Sequence, residues 1–202
     1  MKFYLITLFL HMICNVSFAQ EIIYQGSIVH IDGIINKGEW DDSKVYIFKE
    51  SEFVKSKIYL KHDGANLLLA YINENIKDTT YLYPEFFIDT KLNKGNDWHA
   101  DDYWFHVSAQ DCYAVGKREN YDNCSPDYSF WRASPNHPFG NAYKAIPAFE
   151  ISVPFKLLNI SKGHNIGMCL SLMLYPQEIR LNIPITAHED KPSSWTEYKI
   201  IK

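Results

Sequence analysis

The chain has 202 residues, of which 47% are hydrophobic and 15% aromatic, and its formal net charge is -4 at pH 7. Charges of both signs are spread along the chain, which argues against nucleic acid and against an anionic membrane surface as partners. The length suits one all-β domain, and the surplus of Tyr, Phe and Trp favours strands over helices. Neutral ligands fit this composition better than charged polymers do.

The first 19 residues have the pattern of a secretory signal peptide. Lys2 is the positive start, Phe3–Ile13 is the apolar core, and Ser17–Ala19 is the small-x-small cleavage signal. The apolar core is too short to span a bilayer. The residue before Cys14 is not the small one that a lipid-modified leader requires. We therefore expect cleavage after Ala19, a mature domain over residues 20–202, and a secreted or periplasmic protein.

The rest of the chain reads as a series of short strands. Lys55–Asp63 alternates polar and apolar residues, and Leu67–Ile72, after a turn, is apolar on both faces, which predicts a hairpin whose second strand is central. Further strands are expected at Glu85–Ile88, at Asp102–Val107, around Phe149–Val153, through Cys169 and at the C-terminus. Eight to ten strands without a helix beyond a turn or two predict one all-β domain, a two-sheet β-sandwich that is immunoglobulin-like or jelly-roll-like.

Three cysteines remain after the leader. Cys112 and Cys124 are the nearest pair in sequence, and in an oxidising compartment they are expected to form a local disulfide. Three unpaired thiols are the alternative. Cys169 lies in an apolar run and reads as a buried hydrophobic residue.

The loop between the strands Glu85–Ile88 and Asp102–Val107 is rich in oxygen ligands. Hard carboxylate and amide oxygens of this kind bind calcium, although their spacing is not that of a helix-loop-helix site. The expected ligands of a structural calcium ion are Asp89, Asn93, Asp97 and Asp102. The alternative is that these residues only build turns.

Aromatic side chains near polar ones suggest a sugar site, since flat rings cover the apolar face of a pyranose and planar polar groups pair with its hydroxyls. In the strand Asp102–Val107, Tyr103 and its apolar neighbours are expected to face the core, which leaves Trp104 and His106 on the opposite face. The candidate ligand-binding residues are Trp98, Trp104, Trp131, Arg132, Asp97 and Asp101. Trp131 comes from the long polar segment Ala109–Tyr143, and packing against the sheet edge is its alternative role.

Motifs of catalysis are missing from the sequence. It has no GxSxG, HExxH, phosphate-binding or dinucleotide-binding pattern. The sequence does not give the separations that a glycosidase carboxylate pair requires among the acidic residues Glu85, Asp89, Asp101, Asp102 and Glu150. We therefore expect no enzymatic activity.

Six segments, in chain order, resemble the family 9 carbohydrate-binding module, a β-sandwich of the DOMON-like superfamily. They are IDGIINKGEW (Ile31–Trp40), IYLKHDGANLLLAYI (Ile58–Ile72), PEFFIDT (Pro84–Thr90), DDYWFHVS (Asp101–Ser108), AFEISVPFKLL (Ala148–Leu158) and SSWTEYKI (Ser193–Ile200). The resemblance implies a non-catalytic module that holds polysaccharide or sugar ends, with bound calcium and clamping tryptophans, often attached to glycan-degrading enzymes. It also places Trp40 and Trp195 on structural motifs.

The sequence thus predicts a secreted, non-catalytic protein that binds poly- or oligosaccharide through exposed tryptophans. One alternative is a glycoside hydrolase, or an accessory partner of enzymes that degrade polysaccharides. Another is an extracellular interaction module without a sugar ligand.

Overall fold

The computed structural model describes residues 20–51, 54–74, 81–108, 112–116, 119–122, 132–135, 148–175 and 178–202. The signal peptide predicted over residues 1–19 lies outside these ranges. The strands are β1 (Glu21–Ile23), β2 (Lys44–Ser51), β3 (Val54–His62), β4 (Asn66–Asn73), β5 (Tyr81–Asp89), β6 (Asp102–Val107), β7 (Cys112–Gly116), β8 (Glu119–Asp122), β9 (Arg132–Pro135), β10 (Ala148–Pro154), β11 (Asn165–Tyr175), β12 (Ile179–Ile183) and β13 (Thr196–Ile200). The helical pieces are α1 (Phe155–Leu158) and a 3-10 turn at Pro192–Ser194.

The strands form two sheets. The larger sheet has the order β1-β13-β11-β5-β6-β7-β8, with β12 also paired to β11, and the smaller has the order β2-β3-β4-β10-β9. Among the described pairings β1 and β13 are parallel, and the pairings between consecutive strands are antiparallel. The all-β two-sheet sandwich is confirmed. Within the described residues, no helix has the length and apolar character needed to cross a membrane.

The core lies between the two sheets, and the two-residue period of the strands decides which side chains enter it. On β6, Tyr103, Phe105 and Val107 are at most 1% exposed and join the main core cluster, as expected. On β5, Phe86 enters the same core, where its ring stacks on that of Phe105 at 4.6 Å. Burying one such side chain stabilises the fold by about 1.5–3 kcal/mol. The neighbouring residues of β5 and β6 therefore point to the outer face of the larger sheet.

The smaller sheet buries both faces of its central strand. Leu67 and Leu69 of β4 belong to the main core, whereas Leu68 and Ala70 pack against Trp40 on the other side. This confirms the central position predicted for this strand and the structural role expected of Trp40, which is 2% exposed.

A buried carboxylate fixes the Trp40 segment to that sheet. Glu150 on β10 accepts hydrogen bonds from the indole Nε1 of Trp40 at 3.0 Å and from the backbone N–H groups of Asp32 and Gly33 at 3.0 and 2.9 Å. Burial raises the pKa of Glu150 to about 7, although these donors oppose the rise. Because all three donors belong to the segment that this carboxylate attaches to the sheet, the role of Glu150 is structural.

The structure tests the prediction for Cys169 but not the predicted disulfide, and it describes only part of the long polar segment. Cys169 is buried and free, as expected. Cys112 begins β7, but Cys124 lies outside the described residues, so their disulfide stays a prediction. The segment Ala109–Tyr143 contributes three short strands, β7, β8 and β9, and its other residues are outside the described ranges.

Candidate functional site

Aromatic side chains cover part of the outer face of the larger sheet. Phe87 of β5 stacks on Trp104 of β6, with ring centroids 6.1 Å apart and planes inclined by 10°. Trp98, from the loop between these strands, meets Phe87 edge-on at 6.0 Å and Trp195 at 6.1 Å. These rings form a third hydrophobic cluster with Cys169 and Ala187, separated from the main core by the larger sheet.

Hydrogen bonds fix two of these indoles against the loop before β13. The indole Nε1 of Trp195 donates to the carbonyl oxygen of His188 at 2.8 Å, and that of Trp98 donates to the carbonyl oxygen of Glu189 at 3.1 Å. Trp195 is 4% exposed, so its predicted structural role is confirmed. Trp98 and Trp104 are only half-buried. The ring of Trp98 is held by its hydrogen bond and that of Trp104 by stacking on Phe87, while part of each surface faces the exterior.

A cavity of about 210 Å³ opens beside these rings. We call it the aromatic pocket and define it by its lining. The lining residues are Phe87, Trp98, Trp104, Arg180, Glu189 and Asp190. Apolar rings with a few charged groups at the edge are typical of small-molecule sites.

A row of paired charges lies next to the pocket on the same face. Glu85 of β5 accepts a hydrogen bond from the imidazole Nδ1 of His106 at 2.9 Å with one carboxylate oxygen. Its other oxygen accepts a hydrogen bond from the guanidinium of Arg180. The guanidinium also lies over the ring of Phe87, 5.7 Å from its centroid. Because both oxygens of Glu85 are engaged, this carboxylate orients Arg180 and His106.

A larger cavity of about 420 Å³ lies between the edge strands β2 and β12. The aromatic side chain in its lining is Phe48, which is 4% exposed and belongs to the main core. Most of the other lining side chains are aliphatic. Since the lining of this larger cavity offers no exposed flat ring among the described residues, the aromatic pocket is the better candidate for a sugar site.

Three buried aspartates meet where β5 ends and β6 begins. We call Asp89, Asp101 and Asp102 the acidic cluster: one carboxylate oxygen of each lies within 4.8 Å of the other two. The register of the hairpin, which pairs Asp89 with Asp102, brings them together. Asp89 accepts hydrogen bonds from the backbone N–H groups of Lys91 and Lys94 at 3.1 and 3.0 Å, so the loop folds around its side chain.

Asp102 is the least satisfied member of the acidic cluster. Its Oδ2 accepts a hydrogen bond from the backbone N–H of His99 at 2.5 Å, whereas its buried Oδ1 has no hydrogen-bond partner among the described residues. Burial raises the pKa of Asp102 to about 6, and the neighbouring carboxylates of Asp89 and Asp101 reinforce the rise. The three carboxylates therefore concentrate negative charge inside the protein, with the exposed imidazole of His99 3.8 Å from the Oδ2 of Asp102.

The residues predicted from sequence separate into two places. Trp98 and Trp104 line the aromatic pocket, whereas Asp101 belongs to the acidic cluster. Asp97 is exposed in the loop and is not a member of the acidic cluster. The amide nitrogen of Asn93 donates to both carboxylate oxygens of Asp101, at 3.2 and 3.1 Å.

Two further candidates lie at or beyond the limits of the structure. Trp131 is outside the described residues. Arg132 begins β9 at the far edge of the smaller sheet, where it pairs with Ser152 of β10. The aromatic pocket is on the outer face of the other sheet, and the role of Arg132 in ligand binding stays a prediction.

Sequence reasoning missed most of the charged lining of the pocket. Phe87 was predicted only as a strand residue, and Arg180, Glu189 and Asp190 were not candidates. The alternation of Ile179, Leu181 and Ile183 is the signal that could have revealed β12, and with it an outward-facing Arg180.

Comparisons with known proteins support the fold. No protein-family model matches the chain, and no curated protein matches it. A family 9 carbohydrate-binding module from Caldicellulosiruptor kristjanssonii, solved in complex with cellotriose, superposes with a TM-score of 0.62 at 16% identity, covering 90% of this chain and 93% of that one. The same organism's module in complex with glucose gives 0.57 at 16% identity, covering 90% and 95%.

A third solved structure is described as a putative carbohydrate-binding protein from Bacteroides uniformis. It superposes with a TM-score of 0.55 at 10% identity, covering 89% of this chain and 97% of that one. At these identities the likeness concerns architecture. The chain therefore has the fold of a family 9 carbohydrate-binding module over nearly its whole length.

Proposed function

We propose that this protein binds carbohydrate in the aromatic pocket and does no chemistry on it. The observation that carries the proposal is the pair of half-buried indoles, Trp98 and Trp104, held beside an open cavity on the outer face of the larger sheet. A pyranose has apolar C–H faces that stack on such rings and equatorial hydroxyls that reach polar groups at the rim. Arg180 and Glu189 supply a donor and an acceptor there.

The positions of Glu85 and Glu150, two of the carboxylates considered from the sequence for a catalytic pair, support binding without hydrolysis. A glycosidase needs one carboxyl group free to give a proton and a second free to attack or to activate water. Glu85 is engaged at both oxygens by His106 and Arg180. Glu150, the buried carboxylate with a raised pKa, faces Trp40 on the other sheet.

The acidic cluster fits a calcium ion. Three carboxylates with oxygens within 4.8 Å of one another are hard ligands of the type that calcium prefers. The partnerless Oδ1 of Asp102 supports this assignment, because a buried carboxylate oxygen without a hydrogen bond is costly unless a cation neutralises it. Asp89, Asp101 and Asp102 would hold the ion, and its charge would stabilise the start of the loop that carries Trp98.

The leader-like first 19 residues support export, and the protein would meet its glycan outside the cytoplasm. Association with a glycan-degrading enzyme belongs to the same proposal, as does a contribution from Trp131. Enzyme association is tested by co-purification from the source organism grown on the polysaccharide. The contribution of Trp131 is tested by adding Trp131→Ala to the binding series below.

Isothermal titration of cellotriose and of glucose tests the sugar site. Trp98→Ala and Trp104→Ala should each weaken binding by about 1–3 kcal/mol if they stack as aromatic rings do on bases. Tyr24→Ala is the matched control, since Tyr24 is 50% exposed and does not line the pocket. Unchanged affinity in folded Trp98→Ala and Trp104→Ala would refute the assignment of the pocket.

A further inference from the structure

The aromatic pocket carries an excess of negative charge. Its lining contains two carboxylates, Glu189 and Asp190, and one cation, Arg180. A third carboxylate, that of Glu85, is paired directly with Arg180. The flanking residues Lys191 and His188 do not line the cavity. A ligand in the pocket therefore meets more carboxylates than cations.

Arg180 is poorly placed to hold an anion. Its Nη1 donates to Glu85, and its Nε lies 3.6 Å from the Oε1 of Glu189. Two carboxylates thus already neutralise the guanidinium, while the ring of Phe87 lies beneath it. An anionic ligand would have to approach Arg180 against the repulsion of both carboxylates.

Asp190, by contrast, is exposed and makes no ion pair within the described part of the chain. Its carboxylate lies at the edge of a cavity whose other walls are largely aromatic. A positively charged group on a ring stacked there would form a charge-assisted hydrogen bond with it, which is stronger than a neutral one.

We propose that the aromatic pocket selects sugars by charge: amino sugars bind most tightly, neutral sugars less tightly, and uronic acids least. The inference rests on the proposed carbohydrate binding and specifies its ligand class. Because Asp190 is exposed, water and salt screen its attraction, and the expected preference for the amine over the neutral sugar is roughly two- to fivefold. The preference against the uronic acid should be at least as large, since two rim carboxylates repel it.

Three probes with one ring test this order: methyl β-glucoside, its 2-amino-2-deoxy analogue and methyl β-glucuronide. Their affinities are measured by NMR titration at pH 6.5, in low salt and in high salt, for the mature protein, for Asp190→Asn and for Asp41→Asn. Asp41 is exposed and lies outside the pocket, so it is the matched control. The ratio of the affinity for the amino sugar to that for the neutral sugar should fall toward one in high salt and in Asp190→Asn. In Asp41→Asn the ratio should stay as in the unsubstituted protein.

The outcomes distinguish a failure of the charge selection from a failure of the proposed carbohydrate binding. Equal binding of the three probes, tightest binding of the glucuronide, or an amine preference that survives in Asp190→Asn would overturn the charge selection. Neutral sugars would still bind in these cases, and carbohydrate binding would stand. If none of the three probes nor cellotriose perturbs the signals of Trp98 and Trp104, the proposed function fails, and the charge selection fails with it.

Discussion

Replacing Asp102 by Asn separates the cost of a buried carboxylate from its value as a cation ligand. Its pKa is about 6 in the folded protein, against an ordinary value of 3.8. Without a cation, ionising Asp102 in the fold therefore lowers the free energy of unfolding by about 3 kcal/mol above pH 6. Because the folded pKa is the higher one, this contribution to stability is present below pH 3.8 and is lost as the pH rises through 6.

The variant should be more stable than the wild type in chelator at pH 8. The neutral amide keeps an oxygen for the His99 N–H and offers its own N–H groups to the carboxylates of Asp89 and Asp101. Relief of up to 3 kcal/mol would raise the melting temperature by about 6–12 °C for a domain of this length. At pH 4 the difference between the two proteins should largely vanish.

Calcium should reverse the order. An ion present at a thousand times its dissociation constant stabilises the wild type by about 4.1 kcal/mol, which exceeds the relief of up to 3 kcal/mol in the variant, and Asp102→Asn should lose most of that gain. Thermal unfolding followed by circular dichroism, in EDTA and in calcium at pH 8 and pH 4, measures both effects, with exposed Asp41→Asn as the control. The reasoning is refuted if Asp102→Asn is less stable than the wild type in EDTA and responds to calcium equally.

Three further changes test the structural assignments. At pH 5, where the carboxyl of Glu150 is already neutral because its pKa is about 7, Glu150→Gln should cost about 1–3 kcal/mol in urea unfolding, because an amide has one acceptor oxygen for the three donors bound at this position; an unchanged midpoint would contradict this. Gly116→Ala should cost about 1–3 kcal/mol, since a Cβ there would lie 2.3 Å from the ring of Tyr103. His62 accepts the Gly64 N–H, and burial lowers its pKa, so stability should fall as the pH drops below 6.5; in His62→Leu this slope should be smaller.

The fold could be predicted because it depends on local periodicity. Alternation in β6 separated Tyr103 and Phe105 from Trp104 and His106, and the structure places the two sets on opposite faces. The doubly apolar run Leu67–Ile72 marked a central strand in the same way. Such patterns report which face of a strand is buried, and for these strands that assignment required no knowledge of distant contacts.

The pocket could be predicted only in part, because its members come from separate stretches of the chain. Trp98 was a candidate from the composition of its loop and Trp104 also from strand alternation, but nothing local to Arg180 or Asp190 indicates that they meet those rings. Arg180 reaches Glu85 across 95 positions of sequence, and only the pairing of β12 with β11 brings it there.

From the sequence alone followed the strand alternation, the apolar faces, the Trp40 and Trp195 anchors and the stock of aspartates around the β5–β6 hairpin. The tertiary structure decided which aspartates converge, which indoles keep an open face, and which charges surround them. The physical reason is that the burial pattern of a strand follows from the alternation of neighbouring residues. A binding site, in contrast, depends on strand register and sheet order, which bring together side chains that are far apart in the chain.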